Sequence, residues 1–419
     1  MEEVHTNEAL ITNDAVVFGI LVVILAIVFK TSSSEQPFFK KFYGVVPSIL
    51  LCYLIPSLLN SAGIINGEAS NLYFVASRYL LPASLVLFTI SLDLKEIIKL
   101  GPKALIMFLT GTVGIVLGGP LAILLFSALA PDVVGGAGPE AVWRGLSTIA
   151  GSWIGGGANQ LAMKEVFQPS PTLFSAMIAV DVVVANVWMA IMLYGVGKGD
   201  MVDRFFKADT TAVTNLKSKI ENYRLSITKI PTLPDTMSIV GVGLGITGLS
   251  HFLADIIAPW IKENAPYLEQ YSLTSGFFWL VVLATGFGIA MSFTGARKLE
   301  GVGASRIGSL FLYILVATIG MQMDLLAIFS NPGLFLVGFV WIAFHALLLI
   351  IIGKLIRAPF FFFAVGSQAN VGGAASASIM AGAFHPALTP VGVLLSILGY
   401  GLGTYGAYIC ALLMQAIVQ

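Results

Sequence analysis

The sequence predicts an all-α polytopic membrane protein made of two inverted repeats of about five spanning helices, each repeat carrying a broken or re-entrant segment. Three observations predict it. Of 419 residues, 57% are apolar and 11% charged, and the mean hydropathy is +0.91. About a quarter of the residues of a soluble domain are charged, and a soluble fold has no means of hiding so much apolar surface. Ten runs approach or exceed the roughly 20 apolar residues that a crossing helix needs. Two further apolar segments are interrupted in the middle by glycines and amides, and they occupy matching places in the two halves.

The runs lie near 15–29, 43–63, 73–92, 103–129 and 171–197 in the first half, and near 237–258, 274–294, 307–327, 333–353 and 387–417 in the second. The first run follows Glu2, Glu3, Glu8 and Asp14 without a Lys or Arg. That is the wrong flank for a cleaved signal peptide, so the run is expected to stay as an anchor. Residues 198–235 have clustered charges, two prolines and no apolar period, and read as an exposed connector. The expected units are therefore 1–197, the connector 198–235, and 236–419. Cys52 and Cys410 stand in apolar runs with no second cysteine or histidine at ligand spacing, and read as core. The formal net charge is zero, which gives no pull toward nucleic acid.

The broken segments are AVWRGLSTIAGSWIGGGANQLAMKEVF (141–167) and PFFFFAVGSQANVGGAASASIMAGAF (359–384). Each half of either is about ten residues, too short to cross alone. Charge decides between re-entrant and crossing, because cytoplasmic loops collect Lys and Arg. With both segments re-entrant, the loops 30–41, 93–103, 198–235, 295–306 and 353–358 fall inside with 3, 3, 7, 3 and 2 basic residues, 18 of the 22 in the chain. Full crossing would put the connector and its seven basic residues outside. Ten crossings with two re-entrant segments and both termini outside is the arrangement expected.

The halves also match in order. Thr89 and Ile90 correspond to Thr318 and Ile319, and Pro102 to Pro332. Gly151 and Ser152 correspond to Gly366 and Ser367, and Pro171 and Leu173 to Pro386 and Leu388. An odd number of crossings per half turns the second copy upside down, the symmetry on which alternating access rests in many carriers.

Unwound backbone at membrane depth survives only where it lines a cavity or is buried in protein. The breaks are therefore the candidate binding site. In the first, Gly155, Gly156 and Gly157 let the chain turn, and Ser152, Asn159 and Gln160 offer donors and acceptors. The same parts recur as Ser367, Gln368, Asn370, Gly372, Gly373, Ser376 and Ser378. Half-helix N-termini suit a carboxylate, and free carbonyls suit Na+. Asp181 is read as the one acid deep in a span, which marks an ion or proton pathway. Asn186 on the same helix and a Na+ near Asp181 and Asn370 complete the expected ion site. Thr89 with Ser91, and Thr318 with Gln322, form a second matched polar set. Asp93, beside Lys95 and Lys99, reads as a surface group. His345 reads as a hydrogen-bonded core histidine, and Arg144 as a snorkelling residue or an anion gate at the first break.

The helix LLPASLVLFTISLDLKEIIKLGPKAL, the break AGSWIGGGANQLA and the stretch VGSQANVGGAASASIMAGAFHPALTPVGVLLSILGYGLGTY together resemble the YjcL-like family of bacterial integral membrane proteins, a family labelled mostly as a domain of unknown function. More distantly, the layout is similar to the cation:proton antiporter and anion transporter superfamily, which includes sodium:glutamate and bile-acid:sodium symporters. That resemblance implies a scaffold domain, a second domain holding the broken segments, elevator-type movement, a dimer, and ion and substrate at Ser152, Gly155 to Asn159, Gln368, Asn370 and Gly372. One departure is the lone Asp181, where antiporters of that group commonly carry adjacent acids; it favours coupled uptake over multi-proton exchange.

The expectation is a secondary transporter of a bacterial inner membrane, with no enzyme activity and no cofactor beyond a coupling Na+ or H+. It would take up a small carboxylate-bearing metabolite such as an amino acid, short peptide or organic acid. Asp181 would bind the coupling cation, and helices such as 43–63 and 274–294 would form the scaffold. A cation:proton antiporter is the alternative within the class. A membrane lipid-handling enzyme is the alternative outside it, and the chain carries no HExxH, Walker A or GxSxG pattern for it.

Overall fold

The computed structural model describes residues 9–43, 46, 48–67, 69–209, 211, 213, 230–322, 331–385 and 388–418, the side chains of Glu96 and Ala375 excepted. Among these residues the regular structure is helical, with one isolated bridge between Ile11 and Ile65. Asn13 caps α1 (Asp14–Ser32) by accepting from the amides of Ala15 and Val16. Then come α2 (Pro37–Tyr43) and α3 (Ser48–Ser61). Helix α4 (Leu72–Ile90) contains a π-helical turn at Ala76–Leu80. It is followed by α5 (Leu94–Lys99) and α6 (Pro102–Leu129). The first broken segment is α7 (Val142–Phe167), and Ser170 caps the next helix, α8 (Pro171–Val196). After α9 (Gly199–Phe206), a capping box of Thr232 and Asp235 opens α10 (Leu233–Asn264). Helices α11 (Gly276–Ser292), α12 (Ala304–Gly320) and α13 (Gly333–Leu355) lead to the second broken segment, α14 (Phe360–Val371) and α15 (Gly373–Phe384), and to α16 (Thr389–Val418).

Loop contacts fix the direction of each helix. Asp14 accepts from the Ser70 hydroxyl at 2.7 Å and the Asn71 amide at 3.1 Å, so α1 and α4 start on one face. Tyr43 meets Thr31 at 2.6 Å, which turns α3 back toward that face. Lys103 donates to the Arg357 carbonyl at 3.1 Å, and Asn331 to the Val133 carbonyl at 3.3 Å, so α6 and α13 run antiparallel. Ser91 meets Glu300 at 2.5 Å, where α4 ends and α12 begins. Gln415 donates to the Gln270 carbonyl at 3.3 Å and brings the end of α16 to the face where α1 starts. Among the described residues, α1 therefore begins on the face where α16 ends.

Among the described residues, seven helices are long and apolar enough to cross a bilayer by themselves, and up to nine spans result if each of two bent helix pairs counts as one. The runs expected at 43–63, 274–294 and 307–327 form shorter helices of 14, 17 and 17 residues. Pro56 stands inside the first of them. The end of the third expected run lies outside the described residues. At 1.5 Å per residue, 17 residues reach about 25 Å, slightly less than a hydrocarbon core. Apolar side chains are exposed along α1 (Val16, Val23, Ile27) and α10 (Leu244, Phe252, Ile256, Trp260). Faces of that kind are satisfied by lipid.

Both broken segments are hairpins. Trp143 and Phe167, at the two ends of α7, stack edge to face with ring centroids 5.5 Å apart. A straight helix would separate them by about 36 Å. Phe360 and Phe384 close the second hairpin at 5.8 Å. The feet stand on opposite faces, because α8 leaves the first hairpin and its last turn packs Gly195 against Phe360 of the second.

The helices sort into two groups by their packing. Helices α1, α3, α4, α10, α11 and α12 form one, here the scaffold group. Helices α6, α8, α13, α16 and the two hairpins form the other, the hairpin group. Each group takes three elements from either half, in the same chain order and in opposite directions.

The connector is less bare than its composition suggests. Its first part forms α9, which buries Phe206 against Phe363 at 6.0 Å between ring centroids. Asp203 accepts from the Phe360 amide at 2.7 Å, where the second hairpin begins and its amides lack helical partners. Burial raises the Asp203 carboxyl above its usual range, and the Phe360 amide opposes the shift. Residues 214–229 of the connector lie outside the described residues. Helix α10 opens at Leu233, with Thr232 as its cap.

Candidate functional site

The hairpin tips are built alike. At the first, Gly155 has φ −132° and ψ 15°, and Gly156 has φ 72° and ψ −174°. At the second, Gly372 has φ −125° and ψ 0°, and Gly373 has φ 64°. The positive φ is what glycine supplies and a side chain resists. This match pairs Gly155 with Gly372, two residues away from the register that pairs Ser152 with Ser367. Gly157 and Ala374 begin the returning arms, whose first amides lack intrahelical acceptors. The Ala374 amide is taken up by the Tyr400 hydroxyl.

Helix α16 receives both tips. A methyl on Gly399 would lie 2.7 Å from the Ile154 carbonyl and 3.4 Å from that of Ala369, and one on Gly403 would lie 2.6 Å from the Cα of Gly155. Tyr400 stands between them: its ring faces Gly156, its hydroxyl faces Gly373, and it packs on Phe88 of the scaffold group at 4.8 Å. Tyr400 was not singled out from the sequence. Its signal is the run Gly399-Tyr400-Gly401-Leu402-Gly403, an aromatic hydroxyl between small residues within a span.

The amides divide into anchors and an unfilled donor. Asn159 donates to the carbonyls of Gly155 at 2.8 Å and Tyr400 at 3.2 Å, and accepts from Thr404 at 2.6 Å. Asn370 donates to Phe108 and Gly366 at 3.0 Å each and accepts from Thr112 at 2.8 Å. Each asparagine thus fastens its hairpin to a neighbouring helix. Ser367 accepts from Trp188 at 2.8 Å and meets His345 Nε2 at 2.8 Å, while His345 Nδ1 bonds the Gly111 carbonyl at 2.9 Å. His345 is the hydrogen-bonded core residue expected. Gln368 is different. It is 1% exposed, lies against Gly372, and its Nε2 has no acceptor among the described residues. A buried donor left open costs about 1–3 kcal/mol, so it marks a place for a ligand oxygen or a water. Ser376 lies beside it across Gly372, and Gly157 of the opposite hairpin faces Leu312.

Asp181 lies under the first hairpin. Trp153 donates to Oδ1 at 2.7 Å and Gln160 to Oδ2 at 2.9 Å, and Ser152 hydrogen-bonds the same carboxylate. All three donors are neutral, and Trp153 was missed in the sequence. Asn186 does not belong to this site. Five residues turn a helix by about 500°, which puts it on another face; it is exposed and bonds the Val182 carbonyl at 2.7 Å. Asp181 is held by the first hairpin, and Asn370 by α6. Thr89 and Thr318 lie in the scaffold group, their hydroxyls bonded to Leu85 at 2.7 Å and Leu315 at 2.8 Å within their own helices. Ser91 bonds Glu300, and Asp93 pairs with Arg297 at 3.2 Å. Gln322 reaches the Gly67 carbonyl at 3.5 Å. Arg144 caps the first hairpin by donating to the Phe167 carbonyl. Among the described residues, no group of three or more His, Cys, Asp or Glu side chains is placed to hold a metal ion.

Seven to nine apolar spans among the described residues, lipid-suited outer surfaces and two hairpins define a multi-pass membrane protein. A family profile described as "Protein of unknown function (DUF819)" matches residues 19–417, and the chain belongs to that family. It is also similar to the uncharacterized membrane protein YjcL of Bacillus subtilis (strain 168), 25% identical over 389 residues that cover 88% of this chain and 90% of that protein.

Proposed function

We propose that this protein is a secondary active transporter that takes up a small carboxylate-bearing metabolite by sodium or proton coupling, with the hairpin group sliding against the scaffold group. One observation carries the reading. Two hairpins enter from opposite faces and bring glycine-turned tips to the two sides of Tyr400, beside a buried Gln368 amide that lacks an acceptor. Unwound backbone at that depth serves a binding site in carriers. The opposed direction of matching helices supports descent from two inverted repeats, which gives the two-faced geometry that alternating access needs. Asp181, held by neutral donors alone, is the place for the coupling cation or proton.

The test is ligand-induced thermal stabilisation of the purified protein by amino acids, short peptides and organic acids, in Na+ or choline salts and across pH. The reading expects an organic acid that stabilises more in Na+ or at acid pH. Stabilisation by Na+ or pH alone, without an organic ligand, would instead favour a cation:proton antiporter.

A further inference from the structure

We propose that Arg78 and Lys164 form a carboxylate-recognition site at the seam between the two helix groups, and that Glu165 occupies it as an internal substitute which an incoming carboxylate displaces. The proposal rests on the reading of the protein as a transporter of carboxylates and adds a recognition site outside the hairpin tips.

Three charges meet where the returning arm of the first hairpin passes α4. Lys164 approaches Glu165 Oε1 at 3.3 Å and donates to the Tyr73 hydroxyl. The Arg78 guanidinium comes no closer to Glu165 Oε2 than 3.8 Å, beyond hydrogen-bonding reach. Among the described residues, Glu165 is the one carboxylate within 4.0 Å of either cation. Two positive charges therefore share one negative charge. The walls are aromatic: Arg78 lies over Phe277 at 4.4 Å and Phe74 at 6.0 Å, and Lys164 over Tyr73 at 4.2 Å and Phe174 at 5.6 Å. Ring faces support the cations without neutralising them.

Arg78 is the part of this cluster with capacity to spare. A guanidinium presents donors in a planar fork that fits a carboxylate with two parallel bonds, and here the fork makes neither. The side chain is 29% exposed. It is carried by the π-helical turn Ala76–Leu80, an insertion that re-aims side chains and recurs at functional sites. His251 bonds the Arg78 carbonyl at 2.8 Å and steadies that turn. Arg78 and Tyr73 belong to the scaffold group, Lys164 and Glu165 to the hairpin group. A ligand that replaces Glu165 therefore takes over a contact that spans the two groups.

The test uses the full-length protein and four probes: sodium acetate, L-lactate, succinate and L-glutamate, with acetamide, lactamide and succinamide as uncharged-amide controls. Half-saturating concentrations are read from thermal stabilisation of wild type, Arg78→Gln, Arg78→Lys, Glu165→Gln and Gln368→Ala. Losing a charge-assisted bond to the ligand is expected to raise the value about tenfold or more in Arg78→Gln. Arg78→Lys, which keeps the charge but not the fork, is expected to lose less. Glu165→Gln removes the internal competitor and is expected to bind the acid more tightly than wild type. Should Arg78→Gln fail to fold, Arg78→Lys and Glu165→Gln decide. Unchanged values in the Arg78 variants overturn the seam site; if Gln368→Ala alone is impaired, the transport reading survives without it. Arg78-dependent binding with no uptake into proteoliposomes overturns transport and keeps the site. No stabilisation by any of the acids, in wild type or Glu165→Gln, overturns the seam site.

Discussion

Gly156 and Gln368 show best what single residues contribute. With φ 72° and ψ −174°, Gly156 lies in a region that only glycine occupies without strain. Gly156→Ala is expected to cost about 1–3 kcal/mol by that strain, read as a lowered melting temperature, whereas Gly157→Ala, with only Leu312 nearby at 3.8 Å, should melt close to wild type. An equal drop in both would count against the tip geometry. Residue types were legible where chemistry requires them: amides at breaks, one carboxylate in a span, a histidine without a charged neighbour. Partners were not legible. Asn159 and Asn370 read as ligand groups in the sequence, which did not show that they also bond Thr404 of α16 and Thr112 of α6, hundreds of positions away in the chain. Glu165 was not singled out from the sequence.

At the scale of elements, the hairpins were foreseen from two facts, the halves too short to cross and the basic loops that keep sides. Helix lengths were read less well. Hydropathy does not reveal where a cap or a bend ends a helix, and so α3, α11 and α12 are shorter than their apolar runs. The connector was misjudged because eight residues are too few for a period to declare itself, yet Phe206 is buried and Asp203 binds the Phe360 amide. Asp203→Ala is expected to cost about 1 kcal/mol at that hairpin foot, as the loss of a capping carboxylate does. Hydrogen exchange at the amides of residues 360–363 should speed up while the first hairpin is unaffected; unchanged exchange would mean that α9 does not fasten the foot. Gly403→Leu is expected to push the first tip off α16, since even a methyl there would lie 2.6 Å from the Cα of Gly155, and to abolish ligand stabilisation.

The whole molecule divides into two helix groups that meet through few polar ties. Thr285 of the scaffold group and Thr404 of the hairpin group approach to 3.2 Å, and Thr404 passes that contact on to Asn159. Side chains so close can be bridged by a disulfide when cysteines replace them. A Thr285→Cys, Thr404→Cys protein is expected to lose transport on oxidation and recover it on reduction; full transport in the oxidised protein would refute sliding of one group past the other. Matched breaks and prolines make the halves read as repeats in the sequence, and the tip glycines pair two residues away from the register suggested by the identical letters at Ser152 and Ser367. The central claim is coupled transport, and uptake into proteoliposomes of an organic acid that stabilises the protein tests it most directly. With an inward Na+ or proton gradient, wild type should accumulate the acid above its external concentration, and Asp181→Asn, correctly folded, should not. Equal uptake with and without a gradient, or unchanged accumulation by Asp181→Asn, would contradict the account.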